Sequence, residues 1–399
     1  MSSVAQSREP ASVAWYNDPQ IRGWIAQALL AAAIVFVIYG AASNVIDNLR
    51  AAKIASGFGF LNTTSGFDVN QTLVPYSATS TYGRAFVVGL LNTLLVAAIG
   101  IVLATLLGFM IGIARLSPNW IVRQVAMGYV ELIRNVPLLL QLLFWYIAVL
   151  RPLPDPRNSV SVGTGFFLNN RGLFMPKPIL GDGAWLVALA LGVGIVAAAA
   201  FALWARREQA STGRQYPVGW ASVALVLGLP ALAWLLVGLV AGNPITFDLP
   251  EQQRFNLRGG LQIFPEFVAL TLGLVIYTAA FIAEIVRAGI LAVSTGQTEA
   301  ASALGLRPGP TLKLVVIPQA MRVITPPLTS QYLNLTKNSS LAVAIGYPDL
   351  VQVFMGTVLN QTGQAIECVA ITMAVFLLIS LITSAIMNEY NRRMALVER

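Results

Sequence analysis

Between Trp24 and Ile46 this 399-residue chain carries no charged side chain, and the uncharged run from Phe86 to Ala114 is longer still. About 20 apolar residues are what an α-helix needs to cross a bilayer, so these runs fix lipid as the solvent of the fold. Further runs of spanning length cover Val125 to Leu150, Ala184 to Ala205, Val218 to Val240, Ile263 to Ile290 and Cys368 to Asn388. The whole composition agrees: 56% of residues are apolar and 11% charged, where a soluble domain carries about 25% charged residues. The sequence therefore predicts an all-α integral membrane protein.

One stretch resists this parsing. Val323 to Ile366 holds only Lys337 and Asp349 as charges, but Pro326-Pro327 and Tyr347-Pro348 interrupt it. Residues 291 to 322 are more polar and read as interfacial helices. Basic residues collect at Arg8 and Arg22, Arg115 and Arg123, Arg206 to Arg214, Arg287 to Arg322, and Arg392, Arg393 and Arg399. The opposite side holds Arg50, Lys53, Arg84, Arg151 to Lys177, Arg254 and Arg258, spread over longer loops. The positive-inside bias favours a cytoplasmic N-terminus. With Arg392-Arg393 also inside, the number of crossings is even, so 323–366 crosses once and the total is about eight. Its surplus length must be irregular backbone buried in protein or lining a cavity. The segments Ser56 to Tyr82, Arg151 to Pro178 and the polar stretch before Gln262 read as loops.

Several chemistries are excluded. The chain has no histidine, which removes imidazole acid/base catalysis and imidazole zinc ligation. Its single cysteine, Cys368, cannot form an intramolecular disulfide. None of its four lysines is followed by Ser or Thr, so the phosphate-binding G-x-x-x-x-G-K-[ST] loop is missing. The net charge of +8 does not form a basic stripe with interleaved aromatics, which argues against nucleic acid. No metal site and no bound cofactor are expected.

The most informative polar stretch reads Glu299-Ala300-Ala301, three residues, Gly305, nine residues, then Val315-x-Ile317-Pro318. Read alone, it is a short helix ended by a glycine in the left-handed cap position, with a second helix after it. The spacing resembles the EAA loop of importer-type ABC transporter permeases, E-A-A-x3-G-x9-I-x-L-P. Asn92-Thr93-Leu94, the run Glu131 to Gln141 and the run Ala283 to Ile290 are similar to the polar-amino-acid permeases of that family. Lys337-Asn338-Ser339-Ser340-Leu341 resembles their K-D-T-S-L, and with Ala342 to Leu350 looks most like the general L-amino acid permeases, the longer Q-type of a two-permease pair.

That resemblance implies a five-helix core in 86–150 and 263–399, with the coupling loop at about 296–320. Residues 1–85 would add a cytoplasmic tail, a first helix and a periplasmic loop; 151–262 would add periplasmic loops and a helical hairpin at 184–240. It also implies an inner-membrane transport subunit, not an enzyme, with both termini cytoplasmic. Its partners would be a second permease subunit of different sequence, two subunits holding ATP and Mg, and a periplasmic amino acid-binding protein. Glu299, Ala300, Ala301, Gly305 and Pro318 would form the ATPase-coupling element, with Glu299 at the contact and Gly305 turning the chain.

Polar residues inside spans usually face a bundle interior or a water path. Arg134, Asn135, Gln141, Glu284, Lys337, Asn338, Ser339 and Ser340 are the candidates for an L-amino acid path. Arg134 and Gln141, seven apart, share a face if their helix is continuous. Structural alternatives stand beside these: Arg134 pairing with Glu131 and Glu284 with Arg287 at spacing three, and the 337–340 group capping broken backbone. An ion-gradient-driven secondary transporter is the rival function, since intramembrane charges could carry such coupling.

Overall fold

The structure is a computed structural model that describes residues 19–51, 57–253 and 256–394. Arg8, Lys53, Arg254 and Arg399, used above for orientation, lie outside the described residues. Helix α1 (Pro19–Ala51) is apolar on all sides, and none of its most hydrophobic window is buried by the rest of the chain. Residues 57–81 follow as a strap over one end of the core. There Phe60 packs on Tyr82 and Phe354, and Gln71 donates from Nε2 to the Tyr347 hydroxyl at 3.2 Å.

Helices α2 (Tyr82–Ala114) and α7 (Pro265–Leu291) form the centre. Thr81 caps α2 by accepting from the Arg84 N–H, and Pro265 opens α7, where a missing N–H costs nothing. Their contact is built from small residues. A Cβ on Gly108 would lie 2.6 Å from the Ile282 side chain, and one on Gly112 would lie 2.8 Å from the Ala283 carbonyl oxygen. No lipid-driven hydrophobic force holds helices together in a membrane, so such close approach supplies the van der Waals contact that does. Around this pair are buried Val96, Ala104, Leu142, Leu270, Leu274, Ile324 and Leu335.

The stretch read as one span over Val125 to Leu150 is two elements. Helices α3 (Trp120–Asn135) and α4 (Leu138–Leu143), the latter running through a π turn to Leu150, meet at 105°. The cause is Pro137, which bars the preceding residue from helical geometry; Val136 is extended, with φ −97° and ψ 126°.

The long connections, read as loops, contain short strands. In Val160–Ser161 (β1), Phe167–Asn169 (β2), Gly172–Met175 (β3) and Lys177–Leu180 (β4) the chain leads to a hairpin of α5 (Ala184–Thr212) and α6 (Val218–Ala241). It returns through Ile245–Asp248 (β5), Glu251–Gln252 (β6), Leu257–Arg258 (β7) and Leu261–Ile263 (β8). Antiparallel pairs join β1-β2-β3-β8, β4-β5 and β6-β7, with Leu180 opposite Ile245 and Leu173 opposite Ile263. Strands of two to four residues leave no alternation to read, and two of the pairings, β3-β8 and β4-β5, reach across the intervening helical hairpin.

After α7 come α8 (Thr295–Ala303), α9 (Pro308–Thr311), a π turn at Leu312–Val316 and α10 (Ile317–Asn338). The 323–366 stretch is thus helical through both Pro326 and Pro327, and its helix begins inside the segment read as interfacial. A 3-10 turn at Ser339–Ile345, a π turn at Gln352–Val358 and α11 (Leu359–Thr362) lead to α12 (Ala365–Met394). Among the described residues six helices are long and apolar enough to cross a membrane, or seven if the bent pair counts as one span. Helix α10 is not among them. Its 22 residues reach about 33 Å, enough to cross, but its polar face must look into protein or water.

The glycine contact carries a test. Gly112→Val should destabilise the purified chain by about 1–3 kcal/mol through overpacking, read as a lowered unfolding temperature in detergent. Gly128→Ala on α3, where a Cβ meets nothing within 4 Å, should leave it unchanged or slightly raised; an equal loss in both variants would disprove the close-packing account.

Candidate functional site: an exposed short helix and a polar cavity

Ser294 caps α8 by accepting from the Gly296 N–H at 3.3 Å. At the other end the Leu306 N–H bonds the Ala301 carbonyl at 3.1 Å and the Gly305 N–H bonds the Ser302 carbonyl at 2.9 Å. This is the Schellman pattern, which needs a left-handed residue at the position after the cap; Gly305 supplies it with φ +76°. No atom lies near where its Cβ would be, so glycine is required by conformation and not by space.

The helix so terminated packs on α9 and the π turn, with Ala301 as its buried residue. Glu299 and Ala300 are exposed, and among the described residues Glu299 makes no ion pair. Gln319 of α10 donates from Nε2 to Gln297 Oε1 at 3.1 Å, a tie between α8 and α10. Pro318, half-buried in the first turn of α10, has no N–H to offer and follows the π turn, where the Ile317 N–H reaches back to the Leu312 carbonyl.

Farther along α10, Gln331, Asn334 and Asn338 share one face and line a cavity of about 230 Å³ with Tyr277, Thr278 and Phe281 of α7. Arg134 of α3 lies over the Phe281 ring, its guanidinium carbon 5.1 Å from the centroid, within cation–π range. It makes no ion pair with Glu131 among the described residues. Asn135 is exposed at the last position of α3.

Of the other candidates, several are used on backbone. Gln141 is buried and donates from Nε2 to the Ile133 and Val136 carbonyls, each at 2.9 Å. It thereby satisfies acceptors freed by the 105° break. The break also removes the face that Arg134 and Gln141 would share on one continuous helix. Ser339 and Ser340 donate to the Thr336 and Lys337 carbonyls, each at 2.7 Å, as α10 tightens into the 3-10 turn. Of the 337–340 group Lys337 is exposed and Asn338 reaches the cavity.

Glu284 pairs with Arg287, as the spacing of three suggests, at 2.6 Å. Its second oxygen is held by Arg115 at the end of α2, a partner 169 residues away that no local spacing could indicate. Tyr277, Thr278, Gln331 and Asn334 were also not singled out in the sequence. The spacing of Gln331, Asn334 and Asn338 at three and four residues is the signal that could have found the last helix face.

Replacing Gln141 by Leu should leave the Ile133 and Val136 carbonyls unpaired, at a cost of about 1–3 kcal/mol each when buried. The expected readout is a lowered unfolding temperature with an unchanged KM for transported substrate; a raised KM at wild-type stability would make Gln141 a path residue instead.

Residues 220–396 match the family described as the binding-protein-dependent transport system inner membrane component. A general L-amino acid transport system permease protein, AapQ of Rhizobium johnstonii, is 53% identical over 382 residues, covering 96% of this chain and 94% of its own. The putative amino-acid ABC transporter permease protein YhdX of Escherichia coli is 52% identical over 388 residues, covering 96% and 97%. The glutamate/glutamine/aspartate/asparagine transport system permease protein BztB of Rhodobacter capsulatus is 44% identical, covering 90% of each chain. With apolar helices of spanning length in the same chain, these relatives make it a multi-pass inner-membrane protein, and it belongs to the family of amino-acid ABC transporter permeases.

Proposed function

We propose that this chain is the permease subunit through which L-amino acids enter the cell, driven by ATP hydrolysed in partner subunits. The observation that carries the reading is the position of α10. One end of this helix is tied to the exposed α8 hairpin, and the other lines the polar cavity. Family membership supplies the context: a second permease, ATP- and Mg-holding subunits, and a binding protein that delivers substrate. We assign two copies of the ATPase and a partner permease of different sequence, with both termini of this chain in the cytoplasm. The five-helix core is 86–150 with 263–399; 1–85 and 151–262 are additions to it. The relatives give the ion-gradient alternative no support.

In this mechanism Glu299 and Ala300 face the ATPase while Ala301 is buried where α8 packs on α9 and the π turn that lead into α10. Gly305 ends the docking helix, and Pro318 marks where it joins the rod. Movement of the ATPase on nucleotide binding shifts α8, and α10 carries that shift to the cavity. Access alternates because ATP favours one of two arrangements, by no more than its differential affinity for them. The cavity offers hydroxyl and amide groups from Tyr277, Thr278, Gln331, Asn334 and Asn338. Neutral donors and acceptors can hold the amino and carboxyl groups common to all amino acids, and 230 Å³ lies below the about 300 Å³ at which drug-sized pockets begin. Arg134 beside it attracts the carboxylate.

Reconstitution with the ATPase, partner permease and binding protein tests this directly. Glu299→Lys and Gly305→Trp should assemble yet lose substrate-stimulated ATP hydrolysis and uptake together; uptake that persists without any ATPase and follows a proton or sodium gradient would overturn the reading. Asn334→Ala should raise the KM for uptake about two- to tenfold, the worth of one neutral hydrogen bond, with basal hydrolysis unaffected. An unchanged KM would remove the cavity from the path.

A further inference from the structure

Glu284 was a candidate for the substrate path, but both of its oxygens are committed elsewhere. Oε1 accepts from Arg287 Nη2 at 2.6 Å on the same helix, and Oε2 accepts from Arg115 Nη1. Arg115 is the residue that caps the C-terminus of α2, and its side chain is only 12% exposed. The turn Leu116–Asn119 follows it at once and leads into α3. Glu284 thus stands where three elements meet: the end of α2, the start of the turn to α3, and the last two turns of α7 before α8. One turn earlier on α7 is Phe281, which lines the cavity and lies under Arg134.

The arrangement has an asymmetry. Two guanidinium groups share one carboxylate at the junction where Gly108 and Gly112 bring α2 and α7 closest. With the carboxylate present, both cations are held inward. Without it, two like charges face each other in a partly desolvated site, where screening is weak. Loss of Glu284 therefore turns an attraction into a repulsion that pushes the ends of α2 and α7 apart, whereas loss of Arg115 leaves the Glu284–Arg287 pair intact.

We propose that Glu284 is a positioning residue of the transport cycle: it clamps the cytoplasmic ends of α2 and α7, so that displacement of α8 moves both helices as one body. The inference rests on the coupling role of α8 given above. Helix α8 follows α7 directly in the chain and α2 does not, and Arg115–Glu284 adds to the packed α2–α7 contact the charged tie at its end nearest α8.

The test uses the full complex in proteoliposomes, with a labelled mixture of L-amino acids as substrate, and reads uptake per ATP hydrolysed together with the KM for uptake. Glu284→Gln should lower uptake per ATP by about fivefold or more, the lower end of coupling between linked sites, while leaving KM unchanged. Adding Arg115→Gln to Glu284→Gln should recover part of the lost ratio, because it removes the repulsion; a role in packing alone would make the double variant worse. Glu284→Asp should retain more coupling than Glu284→Gln. A wild-type ratio in Glu284→Gln, a raised KM at an unchanged ratio, or a double variant no better than the single one would overturn the proposal. If Glu284→Gln does not assemble, Arg115→Gln alone decides: a reduced ratio supports the clamp and a wild-type ratio overturns it. Glu299→Lys run in parallel separates the two readings, since full coupling in that variant would sink the role of α8 and not merely that of Glu284.

Discussion

The close approach of α2 and α7 is the contact on which the rest of the structure depends. In lipid the burial of apolar side chains provides little drive for helices to associate, because the tails are as apolar as leucine. What remains is contact between surfaces that fit, and Gly108 and Gly112 let the α2 backbone reach Ile282, Ala283 and Val286 directly. Once α7 is seated, it offers Gly273 to Leu142 on one side and Gly289 to Ile324 on another. The bent segment and the α10 rod are therefore both placed by the same helix.

Helix α10 combines demands that usually conflict. It is too polar to face lipid, yet it is long enough to cross. Packing against α2, α7 and α12 shields one part of its surface, while its amides open to the cavity. Its two internal prolines surrender N–H donors without breaking the helix. The Thr325 hydroxyl beside them donates to the Met321 carbonyl one turn back, a side-chain bond made within the helix itself.

Much of this was legible in the sequence because lipid imposes a length and a composition that single runs reveal. The apolar runs now seen as α1, α2, α5, α6, α7 and α12 were all read as spans. The short helix α8 and its glycine end were legible through spacing, since the cap and the small residues are local features. What escaped was non-local. The 105° break was signalled by Pro137, but not its angle or the Gln141 amide that bonds the Ile133 and Val136 carbonyls across it. Arg115 could not be assigned to Glu284 without knowing that α2 and α7 are neighbours. The strands were invisible because each is only two to four residues long, and β3 and β4 find β8 and β5 far along the chain.

That last feature bears on how the molecule is made. Strand β3 pairs with β8, Met175 opposite Leu261, and β4 pairs with β5, Leu180 opposite Ile245, with α5 and α6 lying wholly between them in the chain. A pairing of such sequence separation cannot form until the intervening residues have been synthesised. Here those residues must also enter the bilayer and return, because the second strand of each pair reaches the side of the first only after α6 has crossed back. The sheet therefore closes late, and its closure requires that both helices of the hairpin have been inserted in the correct orientation.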